Sequence, residues 1–210
     1  EEFPAQIAQV AMWLIDHQMN QRVSAAFGEY MVRIPLRASA TIACANALQL
    51  DWQSLLPEGE RYDYILGNPP FIGSKLMTPE MRTDLLAIFP GVKGAGTLDY
   101  VSGWYGLAAH YVQAYGNKTT RAAFVSTNSI TQGEQVGALW GPLLAKGIKI
   151  HFAHRTFRWN NEARGVAAVH CVIVGFADFD VSKKRLFNYA DERSEPEEVI
   201  VNNLNPYLVD

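Results

Sequence analysis

The chain has 210 residues, 49% of them hydrophobic and 19% charged, with a net charge of −3 and a pI near 6.0. This size and composition predict one globular domain and exclude a disordered or fibrous chain. The sequence shows no membrane-length apolar run and no secretory leader, so we expect a soluble cytoplasmic protein. The weakly acidic balance argues against a self-sufficient nucleic-acid-binding domain.

The first elements predicted are a helix and two buried strands. Acidic residues precede a proline, and apolar residues then recur at helical spacing to about Asn20. Apolar runs at residues 41–45 and 62–67 predict short buried strands that end at Asn46 and Asn68. Open α/β sheets bind their ligands at the carboxyl ends of strands, so both amide residues are candidates for a site.

The tetrapeptide Asn68-Pro69-Pro70-Phe71 (the NPPF motif) suits methyl transfer to an exocyclic amine such as that of adenine. The lone pair of such an amine is delocalised into the ring, but Asn68 Oδ1 and the Pro69 carbonyl oxygen can accept its two hydrogens and draw the lone pair out. The two prolines hold these acceptors in place, and Phe71 offers a flat face for a base. We therefore predict an amino-methyltransferase site with these four catalytic residues. In the alternative, the prolines only end a strand and Phe71 is a core residue.

The remainder of the chain predicts alternating helices and strands, and hence an α/β sheet. Within a long connection from residue 72 to 96, Thr78 should cap a short helix that runs to Phe89, and Thr97 should cap a longer helix. Next come a strand at 122–127, a helix at 132–145 and strands at 148–153 and 166–176. The last two strands have no helix between them, so they should pair antiparallel.

Several weaker patterns give negative or open predictions. The glycine-rich run 91–96 follows no strand, which favours a hinge over a phosphate-binding loop. His151 and His154 should point to opposite faces of a strand, which argues against a metal site. Cys44 and Cys171 are expected to be buried free thiols.

Basic residues cluster in two places, at 155–164 and at 183–185. They form either nucleic-acid contacts or an ordinary solvated face, and the sequence leaves both interpretations open.

The strand ending at Asn46, the NPPF motif and two later runs together resemble the gamma-class adenine-specific DNA methyltransferases, and most of all the methylase region of MmeI-like single-chain restriction-modification enzymes. The later runs are Thr97-Leu98-Asp99-Tyr100 and Thr156-Phe157-Arg158-Trp159-Asn160-Asn161-Glu162-Ala163-Arg164. The resemblance spans residues 1 to about 180. It implies a Rossmann-like class I S-adenosylmethionine-dependent methyltransferase sheet, truncated at its N-terminus, with a C-terminal antiparallel strand pair. Residues 181–210 would be a linker toward a target-recognition domain.

The resemblance also implies S-adenosylmethionine as cofactor, bound by Asn46, Ala47, Asp99 and Tyr100. Asn46 stands where the family usually has Asp, and Ala47 offers little surface for stacking on the cofactor's ring. Asp99 has an alternative interpretation as an acid in the first turn of a helix.

The implied reaction is N6-methylation of a flipped adenine in double-stranded DNA by a bacterial restriction-modification system. Trp159, or else Phe157, resembles the aromatic residue that stacks on the flipped base, and each is alternatively a core residue. Cytosine stays open as a substrate. The competing functions are methylation of a glutamine amide in protein and a non-catalytic DNA-positioning scaffold.

The family's glycine-containing cofactor turn and ribose-binding acid have no counterpart ahead of the NPPF motif, and Gly94-Ala95-Gly96 follows it. We therefore expect the chain to be a fragment that is inactive by itself and binds no measurable S-adenosylmethionine. Apolar strands without neighbours recruit other chains, so we also expect self-association or a non-family strand order near residues 41–45.

Overall fold

The computed structural model describes residues 2–28, 40–159, 169–191 and 194–210, with Trp159 described by its backbone alone. The chain divides into two compact units, Glu1–Pro57 and Glu58–Asp210. The site run 160–164 lies outside the described residues.

The first unit contains a long helix, α1 (Glu2–Phe27), and a short 3-10 helix (Trp52–Leu55). Helix α1 continues past its predicted end at Asn20. The strand predicted at residues 41–45 is wrong, because these residues are irregular and mostly exposed. A strand exists through its ladder hydrogen bonds, and no strand in the described part of the chain pairs with this run.

The second unit is built on a mixed sheet of six strands in the order β1-β2-β4-β3-β5-β6. The strands are β1 (Tyr64–Gly67), β2 (Arg121–Thr127), β3 (Lys149–Trp159), β4 (Val169–Ala177), β5 (Lys184–Asn188) and β6 (Glu197–Val201). Strands β1 and β2 are parallel, as are β3 and β5, while β4 is antiparallel to both β2 and β3. The predicted α/β sheet and the antiparallel pairing of β3 with β4 are confirmed.

Three helices accompany the sheet: α2 (Pro79–Ile88), α3 (Ser102–Ala114) and α4 (Gly133–Ala145). Thr78 caps α2 as predicted, since its Oγ1 accepts a hydrogen bond from the Met81 amide at 3.3 Å. The prediction that Thr97 caps the next helix is wrong. The Thr97 hydroxyl donates to the Gly94 carbonyl at 2.8 Å, and α3 begins five residues later at Ser102.

An aromatic cluster joins the sheet to the helices. Tyr105 of α3 packs against Phe124 of β2, Trp140 of α4 and Phe176 of β4, with ring centroids 5.2 to 5.5 Å apart. All four side chains are at most 2% exposed. Burial raises the pKa of Tyr105, and its hydroxyl lies 2.8 Å from Ser126 Oγ. Each such ring pair contributes about 0.5 to 1.5 kcal/mol beyond area burial, so the cluster fixes β2 relative to its neighbours.

The predicted linker 181–210 contains two strands of the sheet. Strand β5 pairs with β3 and β6 pairs with β5, so residues 184–201 extend the fold. The basic run 183–185 also pairs internally, because Lys184 Nζ lies 2.8 Å from Asp180 and Arg185 donates to both Glu198 carboxylate oxygens. Two of the three basic side chains in this run, those of Lys184 and Arg185, therefore form ion pairs with acidic residues of the same chain.

The two cysteines differ in environment. Cys171 of β4 is fully buried as predicted, and burial raises the pKa of its thiol to about 11. The prediction for Cys44 is wrong, because that residue is exposed. Cys44 lies in the run 41–45, which forms no strand, and a segment outside a sheet has no sheet face on which to bury a side chain.

Candidate active site

The NPPF motif begins where β1 ends, at the carboxyl edge of the sheet. Strand β1 runs parallel to β2, with Gly67 opposite Phe124, so both strands deliver their carboxyl ends to this edge. A Cβ on Gly67 would lie 3.3 Å from Phe124 Cδ1, so a glycine lets the strand end pack tightly on the core. Asn68 and Pro70 are exposed, Phe71 is half-buried and Pro69 is buried. The Asn68 amide is thus accessible to a ligand, while the backbone next to it is anchored.

The segment that follows the motif is held by hydrogen bonds to its backbone. The Ile72 amide donates to the Pro70 carbonyl at 3.1 Å, and the Ile72 carbonyl accepts from the Tyr100 amide at 2.9 Å. The Ser74 carbonyl accepts from Arg82 Nη2 at 2.6 Å. These bonds tie residues 70–74 to α2 and to the run that precedes α3.

Asp99 lies at the centre of a polar cluster beside this segment. Its side chain is buried, and Asp99 Oδ1 accepts from the Ser74 amide at 3.0 Å. Asp99 Oδ2 accepts from the hydroxyls of Thr127, the last residue of β2, at 3.3 Å and of Ser129, two residues further on, at 2.5 Å. The interpretation of Asp99 as a first-turn helix acid is wrong, because α3 starts three residues later. Tyr100 is also buried, with its ring edge-on to Trp104.

A cleft of about 720 Å³ adjoins this cluster. Two glycines, Gly96 and Gly133, line it together with hydroxyl, amide and charged side chains: Ser74, Lys75, Arg82, Thr97, Ser129, Gln132, Glu134 and Gln135. Gln135 Oε1 accepts from the Asp99 amide at 3.1 Å, which links α4 to the cluster. Sequence reasoning missed Ser74, Ser129 and Gln135. The position of Ser129 just after a strand that is parallel to β1 was the available signal.

Asn46 and Ala47, predicted to bind the cofactor, lie in the first unit. Asn46 is exposed, and its Oδ1 accepts from the Leu48 amide at 3.0 Å in a local turn. The Ala47 carbonyl accepts from Trp52 Nε1 at 2.9 Å. These contacts give the two residues a defined local conformation.

The two predicted base-stacking residues lie on β3, which runs in the same direction as β2. Phe157 is half-buried and stacks on Tyr189, with centroids 5.3 Å apart. The Tyr189 hydroxyl lies 2.7 Å from His154 Nδ1, and burial lowers the pKa of that histidine, with Arg185 adding to the effect. The Phe157 ring is therefore part of an internal aromatic cluster. Trp159 is the last residue of β3, where it pairs with Val169.

The described residues contain neither a metal-ligand cluster nor a membrane-spanning helix. Within residues 2–28, 40–159, 169–191 and 194–210, no group of three or more His, Cys, Asp or Glu side chains has a suitable arrangement. The same described ranges hold no helix with the length and apolar content needed to cross a membrane.

The six-stranded mixed sheet with its helices has a Rossmann-like α/β fold, and comparisons with known proteins specify the family. The family model for the MmeI DNA-methyltransferase domain matches residues 1–188. The structure of the Type IIL restriction-modification enzyme MmeI in complex with DNA is 56% identical, with a TM-score of 0.90 over 100% of this chain and 28% of that one. DNA methyltransferase A of Bacillus subtilis (strain 168) is 40% identical over 212 residues, which is 100% of this chain and 23% of the relative.

The chain belongs to the MmeI DNA-methyltransferase domain family. The resemblance found in the sequence and the predicted Rossmann-like fold are confirmed. The chain spans about a quarter of the length of these relatives.

Proposed function

We propose that the chain is the catalytic segment of a DNA adenine N6-methyltransferase that uses S-adenosylmethionine and acts in a restriction-modification system. The observation that carries this proposal is the exposed Asn68 amide at the carboxyl end of β1, followed by the buried Pro69, in a member of the MmeI family. An accessible acceptor on a rigid backbone is what an amine substrate needs.

The residues of the motif act on the amine of the substrate base. Asn68 Oδ1 and the Pro69 carbonyl oxygen accept one amine hydrogen each, which raises electron density at the nitrogen and directs its lone pair outward. Because Asn68 and Pro69 both precede a proline, their extended backbone keeps the two acceptors aligned before the base arrives. Phe71, the next residue of the motif, is half-buried and can offer its flat face to the base.

When bound, S-adenosylmethionine supplies an electrophilic methyl group. Asn46 fits a cofactor contact by its exposure and by the chemistry of its amide, which can hydrogen-bond to an adenine edge, although its Oδ1 also accepts from the Leu48 amide at 3.0 Å. Asp99 and Tyr100 fit direct contact less well. Both are buried, and the Asp99 carboxylate already accepts hydrogen bonds from Ser74, Thr127 and Ser129.

The DNA partner must present its adenine outside the duplex, because the target nitrogen is not accessible inside the base stack. An aromatic ring then has to receive the flipped base. The Phe157 ring already stacks on Tyr189, so Trp159 is the stronger candidate of the two. Trp159 ends β3 on the side of the sheet where β2 also ends.

Asn68→Ala in the complete protein tests the proposal. Digests of cognate DNA should contain N6-methyladenine after reaction with the wild-type protein and none above background with the variant. The S-adenosylmethionine affinity, measured by calorimetry, should stay within about twofold, since the lost contact belongs to the transition state. Asn203→Ala removes another exposed amide and is the matched control.

Methylation that persists in Asn68→Ala contradicts the catalytic assignment. N4-methylcytosine in the digests would identify cytosine, not adenine, as the substrate base. Methylglutamine in a protein acceptor would identify protein, not DNA, as the substrate.

A further inference from the structure

We propose that Asp99 is a positioning residue for the NPPF motif, which it serves by fastening the segment behind the motif to the carboxyl end of β2. This inference rests on the proposed function. It differs from the cofactor contact that the sequence resemblance implies for the same residue.

The contacts of Asp99 point inward. The side chain belongs to a residue that is 8% exposed, and its two oxygens accept three hydrogen bonds from within the chain. One donor is the Ser74 amide, and the other two are the Thr127 and Ser129 hydroxyls. A buried carboxylate with this set of donors is satisfied without a ligand.

These contacts join segments that are distant in sequence. Ser74 lies three residues beyond Phe71, whereas Thr127 and Ser129 belong to the end of β2 and the turn after it. Asp99 thus connects the loop that follows β1 to the carboxyl end of β2. The Tyr100 amide reinforces the connection through the Ile72 carbonyl at 2.9 Å.

The motif is therefore fixed from both sides. The prolines restrict its own backbone, and the anchored residues 72–74 restrict the chain that leaves it. Asn68 is exposed, so the anchoring of its neighbours has to set its position. Misplacement of a catalytic group by about 1 Å can reduce turnover on the order of 100-fold, so a loosened anchor should appear in kcat.

Hydrogen-deuterium exchange on the complete protein tests the structural part. In Asp99→Ala, a peptide covering residues 72–76 should exchange at least about tenfold faster, because the Ser74 amide loses its acceptor. Asp99→Asn should give a smaller increase, since its amide oxygen can still accept from Ser74. Ser129→Ala provides a second, milder variant that leaves Asp99 in place.

Asp178→Asn is the matched control. Asp178 is equally buried at 8% exposure and pairs with Lys118 at 2.7 Å, but it follows β4 at the opposite edge of the sheet. Its substitution should leave exchange in residues 72–76 unchanged. If Asp99→Ala and Asp99→Asn also leave that exchange unchanged, the positioning role is wrong.

Kinetics separate positioning from cofactor binding. For Asp99→Asn and Ser129→Ala, kcat should fall, about 100-fold at most, while the S-adenosylmethionine Kd stays within twofold. A raised Kd for S-adenosylmethionine with unchanged kcat would assign Asp99 to the cofactor and overturn the inference. If the wild-type protein does not methylate DNA, the proposed function fails, whereas the exchange experiment still decides whether Asp99 fastens the loop.

Discussion

The two edges of the sheet each hold a buried aspartate, and the two side chains are satisfied in different ways. At the carboxyl edge of β1 and β2, both oxygens of Asp99 accept hydrogen bonds from neutral donors. At the opposite edge, Asp178 Oδ2 pairs with Lys118, while Asp178 Oδ1 is buried without a hydrogen-bond partner among the described residues. Asp99 is therefore held by three donors from two separate segments, whereas Asp178 depends on one long cationic side chain.

The same contrast holds for the aromatic residues near each edge. His151, near the start of β3, is buried and its Nε2 lies 2.7 Å from the Phe179 carbonyl oxygen. At the other end of β3, Trp159 is the last residue of the strand, and the family resemblance predicts that it stacks on the target base. The contacts of His151 are thus accounted for within the fold, whereas the proposed function assigns the other end of β3 to the target base.

The largest effect at the carboxyl edge, after those of Asn68 and Asp99, is expected for Trp159→Ala. Loss of base stacking should weaken binding of the flipped base by about 1 to 3 kcal/mol. The fluorescence of 2-aminopurine at the target position, measured with the complete protein, reports the base's environment. Phe157→Ala is the comparison variant.

Phe157→Ala should leave the fluorescence response intact and lower thermal stability instead, because that ring stacks on Tyr189. An unchanged 2-aminopurine signal in Trp159→Ala together with a lost signal in Phe157→Ala would exchange the roles of the two residues.

At the opposite edge, Lys118→Met should lower the free energy of unfolding by about 1 to 2 kcal/mol, since it leaves Asp178 buried without its cation. The value stays below that of a fully buried pair because the Lys118 side chain is 67% exposed and its contribution is screened. Urea denaturation measures the change. Methylation by the complete protein should be unaffected. A lower kcat in this variant would contradict the proposal that only the carboxyl edge of β1 and β2 takes part in catalysis.

The smallest effect concerns pH. Burial lowers the pKa of His151, with Arg121 and Lys184 adding to the effect, and burial likewise lowers that of His154. Unfolded histidines titrate near 6.5, so below that pH the unfolded chain binds more protons than the folded chain. The contribution of these two histidines to stability should be complete above about pH 6.5 and should be lost as the pH falls from there toward their lowered folded pKa values.

Thermal melts of the wild-type chain and of a His151→Gln, His154→Gln double variant between pH 7.5 and about 5 test this expectation. The double variant should show a flatter pH dependence. If the melting temperature falls equally with pH in the two proteins, other titratable groups control the loss of stability at acid pH.

Local sequence was sufficient for the features that depend on neighbouring residues. The helix cap at Thr78 follows from a hydroxyl residue directly before a proline. The antiparallel pairing of β3 with β4 follows from the absence of a predicted helix between them. The family resemblance likewise came from the order of short motifs along the chain.

Tertiary structure alone decided the features that depend on distant partners. Residues 41–45 have the composition of a buried strand, but a strand also needs a second strand to pair with, and composition does not specify one. Residues 184–188 fall within the predicted linker 181–210, yet they form a strand that pairs with β3. The role inferred for Asp99 depends on donors 25 to 30 residues away, and only the packing of β1 against β2 brings those groups within hydrogen-bonding distance.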